Sequence, residues 1–175
     1  MALDTVKAKL HEARSSLNEM RDEEQKAAGE SRYDHRRSAF LSAARSVDYR
    51  LRCECQATYP NWRKKWNAQH PTEDCLLEFM HSKRADEVHA RGFGGSVKTE
   101  EIKVGSGSSY SDKAGKVEAW GSPSPLMGVD VSAAVFKHQY FFDVFGTQRP
   151  VTEVCEEYLR VLEQMVARFE ADTSS

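Results

Sequence analysis

Apolar residues recur at every third or fourth position over most of this 175-residue chain, but at every second position in parts of residues 96–145. A spacing of three and four forms a stripe along an α-helix, whereas alternation forms one face of a β-strand. The pattern predicts a mainly helical, up-and-down bundle with a small antiparallel β insert before the C-terminal helix. The length suits one domain. We therefore assign the bundle to residues 2–92 and 150–171 and the insert to 93–149.

The predicted helices follow from their apolar stripes and from the glycines and prolines between them. The first, second and last stripes are Leu3, Val6, Leu10, Ala13, Leu17 and Met20; Tyr33, Phe40, Ala44, Val47 and Leu51; and Val154, Tyr158, Val161, Leu162, Met165 and Phe169. The second helix is expected to end at Pro60, a short helix to carry Trp62 and Trp66, and a fourth helix to run from Thr72 to about Arg91. The last helix is expected to begin at Pro150 or Val151.

The insert is predicted to hold three strands. They are Val97 to Val104 with a bulge, Lys116 to Trp120, and the cleanly alternating segment from Ala134 to Val144. The segments from Gly105 to Gly115 and from Gly121 to Gly128 are rich in Gly, Ser and Pro and are expected to be connections.

The net charge of −2 conceals a basic segment between residues 32 and 65. Its basic side chains are Arg32, Arg36, Arg37, Arg45, Arg50, Arg52, Arg63, Lys64 and Lys65. Only three acidic residues accompany them. We favour a solvated helix surface as the interpretation, with attraction of a phosphate-bearing partner as the alternative.

The N-terminal region has no signal-peptide pattern, and no apolar stretch approaches membrane length. We therefore expect a soluble, cytoplasmic protein without a membrane partner, whose four cysteines are free thiols. Cys53 and Cys55 would point about 200° apart on a helix, which disfavours a zinc site. No metal or cofactor is expected.

Arg84 and His89 are the clearest candidates for a catalytic or binding role. An arginine neutralises phosphate oxygens, and a neutral histidine transfers a proton near physiological pH. Five residues of ideal helix separate the two side chains by about 140°. They would converge only if the helix loosened near Gly92, Gly94 and Gly95, or if a second subunit supplied one of the groups.

The surroundings of this pair resemble HEPN-domain proteins over about residues 31–92. The resemblance is carried by Phe40-Leu41-Ser42-Ala43-Ala44-Arg45-Ser46-Val47, by Trp62 and Trp66, and by Leu76-Leu77-Glu78-Phe79-Met80 leading into Arg84 and His89. It implies a helical bundle, often a homodimer. Many relatives are metal-independent endoribonucleases with an Arg-polar-x-x-x-His motif, and others bind nucleotides or partner proteins.

Carried onto this chain, the motif makes Arg84 and His89 the catalytic residues, with His89 as general acid or base and Arg84 stabilising phosphorane charge. The motif's polar position holds Ala85, whose side chain forms no hydrogen bond, and Asp86 follows one position later. Arg45, Lys83 and Asp86 are candidate substrate-binding residues.

Ordinary structural roles compete with these assignments. Arg84 would pair with Asp86 or Glu87, and His89 would cap the end of its helix. Arg45 is expected to reach Asp48 or another acid, the two tryptophans to anchor the core, and His138 to pack in the sheet. Three functions stay open: a module binding RNA or nucleotide phosphates, a metal-independent endoribonuclease, and a non-catalytic homodimeric scaffold.

Overall fold

The computed structural model describes residues 3–25, 30–89, 96–105, 108–112 and 134–174. The elements within them are α1 (Asp4–Gln25), α2 (Glu30–Glu54), α3 (Tyr59–Gln69), α4 (Pro71–His89), β1 (Ser96–Gly105), β2 (Ser108–Asp112), β3 (Ala134–Val144), β4 (Thr147–Pro150) and α5 (Val151–Thr173). The prediction of a mainly helical chain with a small antiparallel sheet before the last helix is confirmed. None of the helices in these segments combines the length and hydrophobicity that crossing a lipid bilayer requires.

The predicted apolar stripes form the core of the bundle. Every member of the α2 and α5 stripes is buried, and so is every member of the α1 stripe except Leu10, which is partly buried against the same core. The α5 helix buries eleven residues and packs against α1, α2 and α4. Burial of these side chains is the main force that holds the helices together.

Pro60 has a different place from the predicted one. The α2 helix ends at Glu54, and Pro60 lies in the first turn of α3. A backbone N–H has no helical acceptor in the first turn, so a proline is tolerated there. The prediction that Pro60 ends the second helix is therefore wrong.

The sheet has the strand order β2-β1-β3-β4, with all pairs antiparallel. The β1–β3 register is continuous from Ser96 opposite Phe141 to Lys103 opposite Ala134, so the predicted bulge is wrong. The β2 strand lies where a connection was expected. The segments from Lys116 to Trp120 and from Gly121 to Gly128 lie outside the described residues.

A two-residue turn joins β3 to β4, where only a corner was expected. Phe145 and Gly146 both have positive φ, of 51° and 84°. Positive φ at both positions is what a type I′ hairpin turn requires. The amide of Gly146 also donates a hydrogen bond to Asp143 Oδ1 at 2.8 Å.

The β3 strand attaches the sheet to the bundle. Tyr140, Phe142 and Val144 alternate along it and are buried in the same core as the helices. The Tyr140 ring is stacked on Tyr33 of α2, with centroids 3.8 Å apart. The insert is thus part of the single hydrophobic core at this strand.

Candidate functional site

A cleft of about 290 Å³ lies between α2 and α4. Its lining residues are Ser42, Arg45, Ser46 and Tyr49 of α2 and Arg84 of α4. The α2 residues are spaced three, four and seven positions apart and therefore share one helix face. The structure thus brings together two of the residues singled out in the sequence, Arg45 and Arg84.

The chemistry of this cleft is basic and rich in hydroxyl groups. Each guanidinium carries a permanent charge and five N–H donors, and none of the five lining side chains that the structure describes is acidic. The Ser46 hydroxyl donates its proton to the carbonyl of Ser42 at 2.8 Å, so it is not a donor for an anion. The two guanidinium groups are therefore the lining groups that suit an oxyanion such as phosphate.

Arg45 does not pair with Asp48, contrary to the sequence prediction. The side chain of Arg45 is exposed, and among the described residues no ion pair includes it. The Asp48 carboxylate instead faces Arg52 and Arg63, each at 3.5 Å. Arg63 of α3 forms the ion pair with Asp48 from the core side. Arg45 therefore stays on the surface, where it lines the same cleft as Arg84.

The α4 helix continues through His89, so it does not loosen before that residue. The backbone positions of Arg84 and His89 therefore stay about 140° apart around one helix axis. The side chains of Asp86, Glu87 and His89 lie outside the described residues. Convergence of Arg84 and His89 on one phosphate would then require a second copy of the chain.

Lys83 is not part of the cleft lining. Its ammonium group lies 5.4 Å from the centre of the Phe79 ring and 6.0 Å from that of Phe142. Phe142 belongs to β3, so Lys83 faces the junction between α4 and the sheet. Adjacent residues on a helix differ by about 100° in direction, which explains why Lys83 and Arg84 diverge.

A buried polar cluster, which we call the Asp48 cluster, lies where α2, α3 and α4 meet. Asp48 is 7% exposed and accepts a hydrogen bond from the Tyr59 hydroxyl. Arg63 lies 3.5 Å from Asp48 and 3.1 Å from Asp74 of α4, and its guanidinium covers the Trp66 ring at 5.0 Å. The cluster therefore ties α2 and α4 together through α3.

Sequence reasoning missed the Asp48 cluster, although one signal was present. Asp48 follows Ala44 by four residues and Val47 by one, so it interrupts the apolar stripe of α2. An acid at such a position must be paired when buried. Its partners, Tyr59 and Arg63, come from another helix and could not be identified from spacing.

His81 lies one turn before Arg84 on α4, and its Nε2 atom is buried without a hydrogen-bond partner in the described part of the chain. Burial lowers the pKa of His81, and Arg45 and Arg63 lower it further. The carboxylates of Asp48 and Glu78 act in the opposite direction but do not outweigh burial. The imidazole is thus held in its neutral form.

The lowered pKa of His81 predicts a pH-dependent stability. The unfolded chain binds a proton at His81 near pH 6.5, whereas the folded chain binds it only at lower pH. We expect the free energy of unfolding to be highest above about pH 6.5 and to decrease as the pH falls below it. Urea unfolding at pH 7.5, 6.5 and 5.5 would measure this trend.

His81→Gln should reduce the pH dependence, because glutamine does not titrate. The matched control is His11→Gln, which alters an exposed histidine of α1 and should leave the trend as in the unaltered protein. An unchanged pH dependence in His81→Gln would contradict the assignment.

Comparison with protein-family models, with curated proteins and with solved structures gave no match. The cleft itself and the family resemblance of the sequence are therefore the features that bear on function. Arg45 and Arg84 are the predicted site residues that the structure unites.

Proposed function

We propose that this chain is a HEPN-like module that binds the phosphate groups of RNA or nucleotides in the cleft between Arg45 and Arg84. One observation carries the proposal: two guanidinium groups from different helices line one cleft, and none of its lining residues in the described part of the chain is acidic. Guanidinium groups match phosphate oxygens in geometry and charge, and they stay protonated at all physiological pH values.

The family resemblance supports the same assignment from a separate direction. The resemblance makes Arg84 the arginine of the Arg-x4-His motif. That position is identified from the sequence, by its spacing to His89. Arg45 lies within the α2 segment that carries another part of the resemblance, and it lines the same cleft as Arg84. Two parts of the resemblance thus meet at one surface.

Binding accounts for the geometry better than cleavage does. A general base or acid must come within hydrogen-bond reach of the reacting group. Because α4 is helical through His89, the backbone of His89 lies about 7.5 Å along the axis and about 140° around it from Arg84. Cleavage would need a homodimer in which a partner supplies the histidine, whereas binding needs only Arg45 and Arg84.

The test is the fluorescence anisotropy of a labelled single-stranded oligoribonucleotide at several salt concentrations. Arg45→Ala and Arg84→Ala should each weaken binding by about 10-fold or more, since hydrogen bonds to charged groups contribute about 1.5–3 kcal/mol. The slope of log affinity against log salt should fall by about 0.7 for each phosphate that the variant no longer neutralises. The matched control is Arg50→Ala, which removes one exposed arginine from the same helix outside the cleft lining.

Equal losses in Arg45→Ala, Arg84→Ala and Arg50→Ala would reduce the effect to general charge attraction and contradict the proposal. Unaltered binding in all three would favour the scaffold alternative, which sedimentation would then show as a stable dimer. The same RNA incubated in excess EDTA tests the nuclease alternative. Cleavage that disappears in both Arg84→Ala and His89→Ala would establish it, and intact RNA would dismiss it.

A further inference from the structure

We infer that the ligand of this cleft carries an unpaired nucleobase next to its phosphate, and that Tyr49 is the surface on which the base stacks. This inference rests on the proposed phosphate site and adds the class of ligand. It applies to single-stranded RNA and to free nucleotides, because both present a base and a phosphate together. It excludes inorganic phosphate and paired RNA as preferred ligands.

The exposure of Tyr49 is the first observation. Among the residues that the structure describes, only Tyr49 and Phe145 are large hydrophobic side chains with high exposure, and Tyr49 is 61% exposed. The other aromatic residues of α2, Tyr33 and Phe40, are buried in the core. Tyr49 contributes little to that core, so packing does not explain an aromatic residue here.

The position of Tyr49 is the second observation. Tyr49 lines the same cleft as both arginines and follows Arg45 by four residues on α2. Four residues of helix rise about 6 Å, so the tyrosine stands one turn away from the guanidinium group on the same face. A nucleotide spans a gap of this size between its base and its phosphate.

The energetics of stacking favour a ligand with an unpaired base. An aromatic side chain stacks on a nucleobase with about 1–3 kcal/mol per base, and it does so only when the base is not already stacked within a duplex. The volume of about 290 Å³ is slightly below the range of roughly 300–1,000 Å³ found for small-molecule sites, so the cleft encloses only part of a ligand or a small one.

The test compares the labelled single strand with three unlabelled competitors: inorganic pyrophosphate, a blunt RNA duplex and adenosine monophosphate. Tyr49→Ala should weaken binding of the single strand by about 5- to 150-fold and leave competition by pyrophosphate unchanged. Tyr49→Phe keeps the ring face and should bind nearly as the unaltered protein does. Thermal unfolding of both variants should be unchanged, since Tyr49 is largely exposed.

Normal binding of the single strand by Tyr49→Ala would overturn the inference, and so would a duplex that competes as well as an unpaired strand. If Arg84→Ala still weakens binding in that case, the proposed phosphate site stands without its base-stacking surface. If Arg84→Ala has no effect, the proposed function itself fails. Competition by adenosine monophosphate that depends on Tyr49 would support a nucleotide ligand, and Tyr49-dependent binding of the oligonucleotide alone would support an RNA strand.

Discussion

Asp48→Ala is expected to lower the free energy of unfolding by about 3 kcal/mol. Removing one partner of a buried ion pair costs about 3–5 kcal/mol, because the remaining charge stays desolvated. The Asp48 side chain is 10% exposed and that of Arg63 is 13% exposed, so solvent screens the pair weakly. Arg63 retains Asp74 at 3.1 Å, which places the expected loss at the lower end of the range.

Two further variants define the origin of this loss, measured by urea unfolding followed by circular dichroism. Asp48→Asn keeps an acceptor for the Tyr59 hydroxyl and should cost less than Asp48→Ala. Glu12→Ala breaks the exposed pair with Lys9 and should cost less than about 1 kcal/mol. A loss in Asp48→Ala as small as that in Glu12→Ala would show that Arg63 and Tyr59 find other partners.

The helices were predictable because burial follows a period that the sequence displays. The α5 stripe from Val154 to Phe169 can be predicted without knowing which elements surround it, because apolar residues recur every three or four positions along a helix that buries one face. Pro60 was misplaced because a proline after a helix and a proline in the first turn of the next helix look alike locally. The β3–β4 hairpin was missed because Phe145 occupies a turn position that Asn, Asp or Gly usually fills.

Only those residues of the candidate site that belong to a sequence motif could be predicted. Arg84 was identified from its spacing to His89 and from the family resemblance. Whether Arg45 pairs with Asp48 depends on whether a residue of another helix forms an ion pair with Asp48 instead, as Arg63 does. No local sequence pattern contains that information. The role proposed for Tyr49 likewise depends on its exposure, which only the packing of α2 against its neighbours determines.

Phe169→Ala is expected to lower the free energy of unfolding by about 3–5 kcal/mol. The Phe169 side chain is fully buried in α5. Its ring meets Tyr59 edge-on with centroids 5.4 Å apart, and it meets Trp62 in the same way at 5.0 Å. Truncation removes these ring interactions and leaves a cavity at the junction of α3 and α5, so the loss includes both the transfer of the ring and the void.

The matched control is Phe145→Ala, the same truncation at a side chain that is 73% exposed, which should change stability by less than about 1 kcal/mol. Similar losses in the two variants would contradict the packing of α3 on α5.

Phe169 also supports Tyr59, whose hydroxyl binds Asp48, so Phe169→Ala and Asp48→Ala act on one connected group. The double variant should therefore lose less stability than the sum of the single variants, because both side chains contact Tyr59 and are energetically coupled through it. Such coupling would show that α5 stabilises, through α3, the buried side of the helix that carries Arg45 and Tyr49.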